Sequence, residues 1–178
     1  MNETLNTIMT RKSVRSFTEE KVSDEDIRTI LKAGMSGPSA CNCRPWSFIV
    51  LQDRDVILKA ADLKGKYSNP LRSAAFGVLV CGDMSRALER APEYWVIDGS
   101  IAIQNMILAA ESMGIGSVWL GVWPQQERVE GLAKGFDLPE GIVPHSLVAF
   151  GYAADGQNFG TPIDKPEWDE DRVHYDKW

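Results

Sequence analysis

Three basic residues near the N-terminus lie close together in an otherwise acidic chain: Arg11, Lys12 and Arg15. On a helical or turn backbone, Arg11 and Arg15 would share one face, four positions apart. Like charges so placed repel each other unless an anion lies between them, and Ser13 adds a hydroxyl donor. Guanidinium groups and a neutral hydroxyl are donors that bind phosphate. The alternative interpretation is a solvated basic face at the end of the first helix.

Residues 114–119 (GIGSVW) come close to the glycine fingerprint of dinucleotide-binding folds, but two features argue against it. Trp119 occupies a position that needs a small residue, and the segment follows a predicted helix instead of a strand. Gly114 is therefore interpreted as a helix stop. The sequence also has no P-loop, no HExxH motif and no GxSxG motif.

The histidines and the neighbouring cysteines give little support to hydrolytic or metal chemistry. His145 and His174 are the only histidines, and both are predicted to be structural. Cys41 and Cys43 are two positions apart, unlike the CxxC of a zinc knuckle or a redox dithiol, and are predicted to be small packing residues. No metal site is expected, so any chemistry should rest on an organic cofactor.

Three stretches of the sequence together resemble the motifs of the nitroreductase family of flavoproteins. They are RKSVRSF at 11–17, GPSACNCRPW at 37–46, and LAAESMGIGS at 108–117 followed by WLG at 119–121. The three occur in the family's order and spacing, and the resemblance covers essentially the whole chain. It implies an α+β fold with a central, mainly antiparallel sheet flanked by helices. It also implies an interlocked homodimer with two FMN sites across the interface.

Carried over position by position, the first motif would hold the phosphate end of FMN. The resemblance implies that Arg11, Ser13 and Arg15 bind the phosphate and the ribityl chain. Lys12 stands where the family often has a second arginine. A lysine there keeps the charge but loses the bidentate fork.

The second and third motifs would supply contacts to the flavin itself. The resemblance implies that Pro38, Ser39 and Asn42 reach the flavin of the partner subunit. Leu120 and Gly121 would lie beside the isoalloxazine ring, where a backbone N–H can donate a hydrogen bond to the reactive N5 atom. The missing side chain of Gly121 lets the backbone come that close.

Further residues are assigned by the same resemblance. Asn69, in a turn before Pro70, is a candidate for the pyrimidine edge of the ring. Arg44 replaces a glutamine that is usual in the family, so an extra positive charge would lie near the site and favour acidic substrates. The family also supplies a late basic residue to the phosphate. Lys165 fits that position best, and Arg172 is the alternative.

Hydrophobic periodicity predicts the elements that would position these residues. A Ser23–Asp26 capping box opens one helix, which Gly37-Pro38 ends. Other helices are predicted at 4–10, 55–63, 94–113 and 125–134, and strands at 46–51, 76–81, 117–122 and 146–151. The helix at 94–113 is apolar almost all round and should therefore be central.

The composition is that of a single domain over residues 1–178. A net charge of -6 and a pI near 5.0 argue against binding to nucleic acid or to an anionic membrane surface. No secretory signal is expected, because residues 1–10 lack a basic stretch followed by an apolar one, and the longest apolar run, 74–81, is too short to span a membrane. Three cysteines without a disulfide framework favour a cytoplasmic location.

The last part of the chain, residues 153–178, is polar but retains Phe159, Trp168, Tyr175 and Trp178. A disordered tail rarely keeps so many aromatic residues. This segment is therefore predicted to be an arm that packs on a partner subunit.

The sequence thus predicts an FMN-dependent oxidoreductase that passes hydride from NADH or NADPH to a small oxidised substrate, such as a nitroaromatic or a quinone. Turnover would be ping-pong, and no catalytic side chain is expected because the flavin does the chemistry at N5. Two alternatives stay open. One is a flavin-binding or interaction module without turnover. The other is a specialised relative that dehalogenates or dehydrogenates one metabolite, with lids at 64–73 and 86–94.

Overall fold

The computed structural model describes residues 2–154 and 168–178. The six helices of this part are α1 (Glu3–Thr10), α2 (Asp24–Met35), α3 (Arg54–Lys64), α4 (Asn69–Arg72), α5 (Tyr94–Ser112) and α6 (Gln126–Gly135). The strands are β1 (Trp46–Leu51), β2 (Phe76–Asp83), β3 (Gly116–Gly121) and β4 (Ile142–Gly151). Two short 3₁₀ turns lie at Ala40–Asn42 and Glu170–Arg172. The α+β fold predicted from the sequence is confirmed.

Side-chain caps begin the first three long helices. The Oδ1 atom of Asn2 accepts the N–H of Leu5 at 2.9 Å, at the start of α1. At α2, Ser23 Oγ accepts the N–H of Asp26 at 3.1 Å and donates to its carboxylate at 2.7 Å, which confirms the predicted capping box. Asp53 caps α3 in the same way. Each cap satisfies backbone donors that the helix itself leaves unpaired.

The four strands form one sheet in the order β1-β2-β4-β3, and every neighbouring pair is antiparallel. β1 and β3 are therefore the two edge strands. The sheet separates them by three interstrand steps, which is about 14 Å at the usual strand spacing.

Hydrophobic side chains alternate between the two faces of the sheet, as the strand period requires. One face packs on α3 and α6, and we call this the α3/α6 core. It includes Leu79, Leu147, Ile57 and Leu132. The opposite face packs on α2 and α5, and we call this the α2/α5 core. It includes Val80, Val148, Phe150, Ile30 and Met106. The phenyl rings of Phe76 and Phe150 stack at 4.8 Å across β2 and β4.

Helix α5 is buried on several sides and contacts all four strands, as its apolar sequence predicts. It also packs closely on α2. A Cβ atom at Gly34 of α2 would lie 2.7 Å from the Met106 side chain of α5, so the absence of a side chain permits this approach. Among the described residues, α5 and the other helices are too short or too polar to cross a bilayer.

Strand β4 begins earlier than predicted, at Ile142 instead of Ser146. Its pairing with β2 shifts register between Val80 and Cys81, so that Ser146 faces Val80 while Pro144 faces Cys81. This β-bulge leaves one extra residue, His145, in β4. Hydrophobic periodicity does not continue through a bulge, which is why the prediction began the strand only after it.

Several apolar side chains of the described residues remain at the surface. Leu5, Ile8 and Met9 of α1 are 47%, 42% and 49% exposed. In the last described segment Trp168, Tyr175 and Trp178 are exposed as well. Single exposed apolar residues are ordinary, but a run of three on one short helix is typical of an interaction surface.

Candidate functional site

The basic segment from Arg11 to Arg15 follows α1 and runs along the open edge of β3. Ser13 forms a parallel bridge with β3, and the N–H of Val14 donates to a carbonyl of that strand at 2.9 Å. The expected helical or turn arrangement of the two arginines is therefore wrong. Side chains alternate in an extended chain, so Arg11, Ser13 and Arg15 lie on the side opposite to Val14, which is buried.

Arg15 lines a cavity of about 480 Å³ at this edge. Tyr67 and the residues Asn69, Pro70, Val118, Trp119 and Leu120 complete the lining. The volume lies within the range of about 300–1,000 Å³ that is usual for small-molecule sites. Three residues predicted for the cofactor, Arg15, Asn69 and Leu120, thus meet at one cavity. Tyr67, 69% exposed, is a lining residue that the sequence indicated only as part of a 64–73 lid.

The end of β3 presents a free backbone edge beside this cavity. The carbonyl of Ser117 accepts the N–H of Val14 and so faces away from β4. In an antiparallel strand this direction repeats every second residue, so Trp119 and Gly121 also direct their backbone groups to the edge. Leu120 directs its backbone to β4. The N–H groups of Trp119 and Gly121 therefore point to the edge, and that of Gly121 lies at the end of the strand.

Space is open around Gly121. The residue is exposed, and a Cβ atom built on it would meet nothing within 4 Å. Leu120, its neighbour, buries its side chain in the α3/α6 core at 6% exposure. A flat ring system can therefore approach the backbone at this strand end, because no side chain stands in the way at Gly121.

The second motif lies at the other edge of the sheet, because it leads directly into β1. The structure therefore does not bring Pro38, Ser39 and Asn42 to the Arg15 cavity within one chain. This separation is what a contact with the flavin of a partner subunit requires.

Hydrogen bonds hold the turn before β1 in a defined shape. The hydroxyl oxygen of Ser39 accepts the N–H of Arg44 at 2.9 Å, and the amide oxygen of Asn42 accepts the Nε–H of Arg44 at 2.8 Å. The N–H of Ala40 donates to the carboxylate of Asp98 in α5 at 2.9 Å, and Asp98 is buried. Asn42 has a φ of 58°, a left-handed conformation that asparagine tolerates better than most residues.

Arg44 lies at a separate cavity of about 370 Å³ on the β1 side, together with Arg86, Trp46 and Phe48. In this chain it is remote from the Arg15 cavity. Its predicted place near a flavin therefore depends on a second subunit.

Comparison with known proteins identifies the family. A model of the Nitroreductase family matches residues 8–66 and 58–152. The chain belongs to the nitroreductase family. It is 42% identical to a candidate NADH dehydrogenase/NAD(P)H nitroreductase of Methanothermobacter thermautotrophicus, over 99% of this chain and 88% of the relative. It is 30% identical to the NAD(P)H FMN reductase of Bacillus subtilis, over 87% of this chain and 68% of that protein.

A solved structure supports the same family. The crystal structure of a candidate NADH dehydrogenase/NAD(P)H nitroreductase from Bacteroides thetaiotaomicron superposes with a TM-score of 0.88. The two sequences are 39% identical, and the alignment covers 100% of this chain and 99% of the other. The two chains therefore share the nitroreductase fold.

Of the two candidates for the late basic residue of this nitroreductase, the structure describes only Arg172. Lys165 lies outside the described residues. The guanidinium of Arg172 pairs with the carboxylate of Asp169 at 2.7 Å, and its side chain is 83% exposed. The assignment of either residue to a phosphate stays a prediction.

The histidine and cysteine environments in this nitroreductase differ from one another. His145 is buried and hydrogen-bonded, and burial lowers its pKa. Cys81 is buried, which raises the pKa of its thiol to about 12. Cys41 is exposed, so its prediction as a packing residue is wrong: the left-handed turn directs it outward. Within residues 2–154 and 168–178, no group of three or more His, Cys, Asp or Glu could hold a metal ion.

Proposed function

We propose that this nitroreductase binds FMN and transfers hydride from NADH or NADPH to a small oxidised substrate. Its general class, an NAD(P)H-dependent oxidoreductase, follows from the family and from the relatives named above. One observation carries the proposal: Arg15, Asn69 and the open backbone edge at Gly121 border the same part of the molecule.

The residues present at the β3 edge fit FMN at its phosphate end. Arg11, Ser13 and Arg15 lie on the outer side of an extended segment, in a chain whose net charge is -6. Two guanidinium groups and a hydroxyl can bind a phosphate dianion, and Lys12 adds a further positive charge to the segment. A charge-assisted hydrogen bond of this kind contributes about 1.5–3 kcal/mol.

The same edge fits the ring end of FMN. The N–H of Gly121 can donate to a ring nitrogen, and the open space around this residue leaves room for the ring. The amide of Asn69 can both donate and accept, which suits the alternating groups of a pyrimidine edge. Leu120 would lie alongside the ring through its backbone.

When bound, FMN supplies hydride acceptance and donation at its N5 atom. The protein then needs no side chain to accept or donate a proton at the reacting centre. Arg11, Ser13 and Arg15 would bind the phosphate end of FMN. Asn69 and Gly121 would orient its ring. Reductant and oxidised substrate would bind in turn at the same place beside the flavin, which is the arrangement for ping-pong turnover.

The site becomes complete in a homodimer. Pro38, Ser39 and Asn42 lie at the β1 edge, about 14 Å across the sheet from the β3 edge, so those of the partner subunit would cover the flavin. The exposed apolar residues of α1 and the exposed aromatic residues at 168–178 support an extensive contact between subunits. Residues 1–178 would then form one domain whose arm, residues 153–178, packs on the partner.

Nitroaromatics and quinones are the proposed substrates, and Arg44 would favour acidic ones among them. We expect Arg44→Gln to weaken binding of an anionic aromatic inhibitor such as a benzoate. A neutral benzamide serves as the matched probe, since its binding should not change. Equal benzoate affinity in both proteins would remove Arg44 from the substrate site.

An anaerobic absorbance scan before and after addition of NADH or NADPH tests the proposed function. Flavin bands that bleach on addition are the expected result. A yellow protein that does not bleach would indicate a flavin-binding module without turnover by these reductants. A colourless protein that cannot be reconstituted with FMN would contradict the proposal.

A further inference from the structure

The β-bulge in β4 places two consecutive polar side chains on the same face of the sheet. Ser146 faces Val80 on the α2/α5 side, and the extra residue, His145, has no partner in β2. The Nδ1 atom of His145 and the hydroxyl of Ser146 are 2.9 Å apart. Consecutive residues of a regular strand point to opposite faces, so this contact exists only because of the bulge.

The hydrogen bonds around His145 run in one direction. Its Nε2 atom lies 2.9 Å from the carbonyl oxygen of Val96 in α5, which can only accept, so Nε2 carries the proton. In the neutral ring Nδ1 is then an acceptor, and the hydroxyl of Ser146 donates a hydrogen bond to it. The Ser146 oxygen in turn accepts the indole N–H of Trp119 at 2.7 Å. The chain of bonds connects β3, β4 and α5.

The backbone of His145 holds the residues that follow Gly121. Its carbonyl oxygen accepts the N–H of Trp123 at 3.0 Å and that of Val122 at 3.3 Å. The residues on both sides of Gly121 are therefore held by hydrogen bonds. Trp119 is bound on one side through Ser146, and Val122 and Trp123 are bound on the other.

Tight aromatic packing leaves this assembly little freedom to shift. The Trp95 ring meets Trp123 at 5.1 Å and His145 at 5.5 Å, both edge to face. A Cβ atom at Gly82 would lie 2.4 Å from the Trp95 ring, and one at Gly99 would lie 2.9 Å from the His145 ring. Two positions without side chains thus let the rings seat directly against β2 and α5.

We propose that His145 is a positioning residue for the hydride-transfer site. By tying the end of β3 to α5, it fixes the direction in which the Gly121 N–H points at the sheet edge. This role rests on the proposed function, because it matters for chemistry only if a flavin ring lies at that edge.

Amide hydrogen exchange on the full chain tests the structural half of this inference. His145→Leu removes all hydrogen bonds of the ring, whereas His145→Gln keeps a donor near the position of Nε2. Val78→Ala is the control, since Val78 is equally buried but touches β4 at Val148, away from the bulge. We expect exchange at Val122 and Trp123 to be about tenfold faster in His145→Leu than in the control at matched global stability, and closer to the control in His145→Gln.

Equal exchange in His145→Leu and Val78→Ala would overturn the inference. If His145→Leu fails to fold, Ser146→Ala takes its place, because it removes the hydroxyl between Trp119 and His145. We expect it to speed exchange at the same amides by a smaller factor. No change at those amides in Ser146→Ala would overturn the inference in that case.

The flavin midpoint potential, measured by equilibration with a reference dye, tests the other half. We expect His145→Leu to change the ratio of the Kd values for oxidised and reduced FMN three- to tenfold, which is a shift of about 14 to 30 mV for two electrons. Val78→Ala should leave the potential unchanged. An unchanged potential in His145→Leu would overturn the inference alone. Absence of FMN binding in the unsubstituted protein would overturn the proposed function together with it.

Discussion

The two edges of the sheet differ in what they offer a ligand. At the β3 edge, residues from three separate segments border one cavity beside an unpaired strand end with open space. At the β1 edge, a hydrogen-bonded turn presents Ser39 and Asn42 away from that cavity. The β3 edge has the features of a place that holds a cofactor, and the β1 edge those of a surface that covers one. The proposed site therefore takes one edge from each of two subunits.

The largest effect should come from the phosphate end of the β3 edge. Arg11→Ala is expected to weaken FMN binding about 10- to 100-fold, because one or two charge-assisted hydrogen bonds are lost. Fluorescence titration of the apoprotein with FMN measures the change. Arg28→Ala, on the exposed side of α2, is the control and should leave the Kd unchanged. A Kd for Arg11→Ala within about twofold of the original value would contradict the phosphate assignment.

A methyl group at the strand end tests whether the open edge is where the ring lies. Gly121→Ala should weaken FMN binding about tenfold, since the new side chain would occupy the ring's space. Its thermal stability should hardly change, because nothing in the chain lies within 4 Å of the added atom. Gly131→Ala in α6 is the matched substitution and should not alter FMN binding. If Gly121→Ala binds FMN normally, the ring lies elsewhere.

Mixing two defective chains tests the division of labour between the edges. Arg15→Ala damages the β3 edge and Asn42→Ala the β1 edge, so each homodimer should bind FMN weakly. After subunit exchange, half of the dimers are mixed, and each has one site with both edges intact. About a quarter of all sites should then recover full affinity. No recovery, with exchange verified by mass-tagged subunits, would mean that Asn42 does not act on the partner's site.

The smallest effect concerns how the β3 edge is held at acidic pH. Burial lowers the pKa of His145 below its usual 6.5, so the unfolded chain binds this proton more readily than the folded one. The contribution of neutral His145 to the free energy of unfolding is complete above about pH 6.5. It is lost as the pH falls through the folded-state pKa. Urea midpoints of the original protein should therefore fall relative to those of His145→Gln from about pH 7 to about pH 5. A constant difference would show that His145 titrates normally.

The sequence predicted the local elements well because their causes are local. β1 has the bounds that its apolar run predicts, and the capping box of Ser23 and Asp26 opens α2 as expected. Of the residues that the resemblance assigns to the cofactor, Arg15, Asn69 and Leu120 line one cavity. Periodicity, caps and motifs all act within a few residues, so a sequence displays them directly.

Features that depend on strand order could not be predicted in this way. The separation of Ser39 and Asn42 from Arg15 follows from β1 and β3 being opposite edges, which no local pattern encodes. The extended course of the basic segment is set by its bridge to β3 and replaced the expected helical spacing of Arg11 and Arg15. The bulge at His145 likewise depends on pairing with β2.

Helix α5 supplies a common support for both edges. The carbonyl of Val96 accepts a hydrogen bond from the Nε2–H of His145, and two residues later the carboxylate of Asp98 accepts one from the N–H of Ala40 in the turn before β1. A redesign of this enzyme that alters α5 near these residues would therefore act twice. In the proposed dimer it would change how one subunit binds its own cofactor and how the same subunit covers its neighbour's, so libraries that vary these positions to select for new substrates should score both sites together.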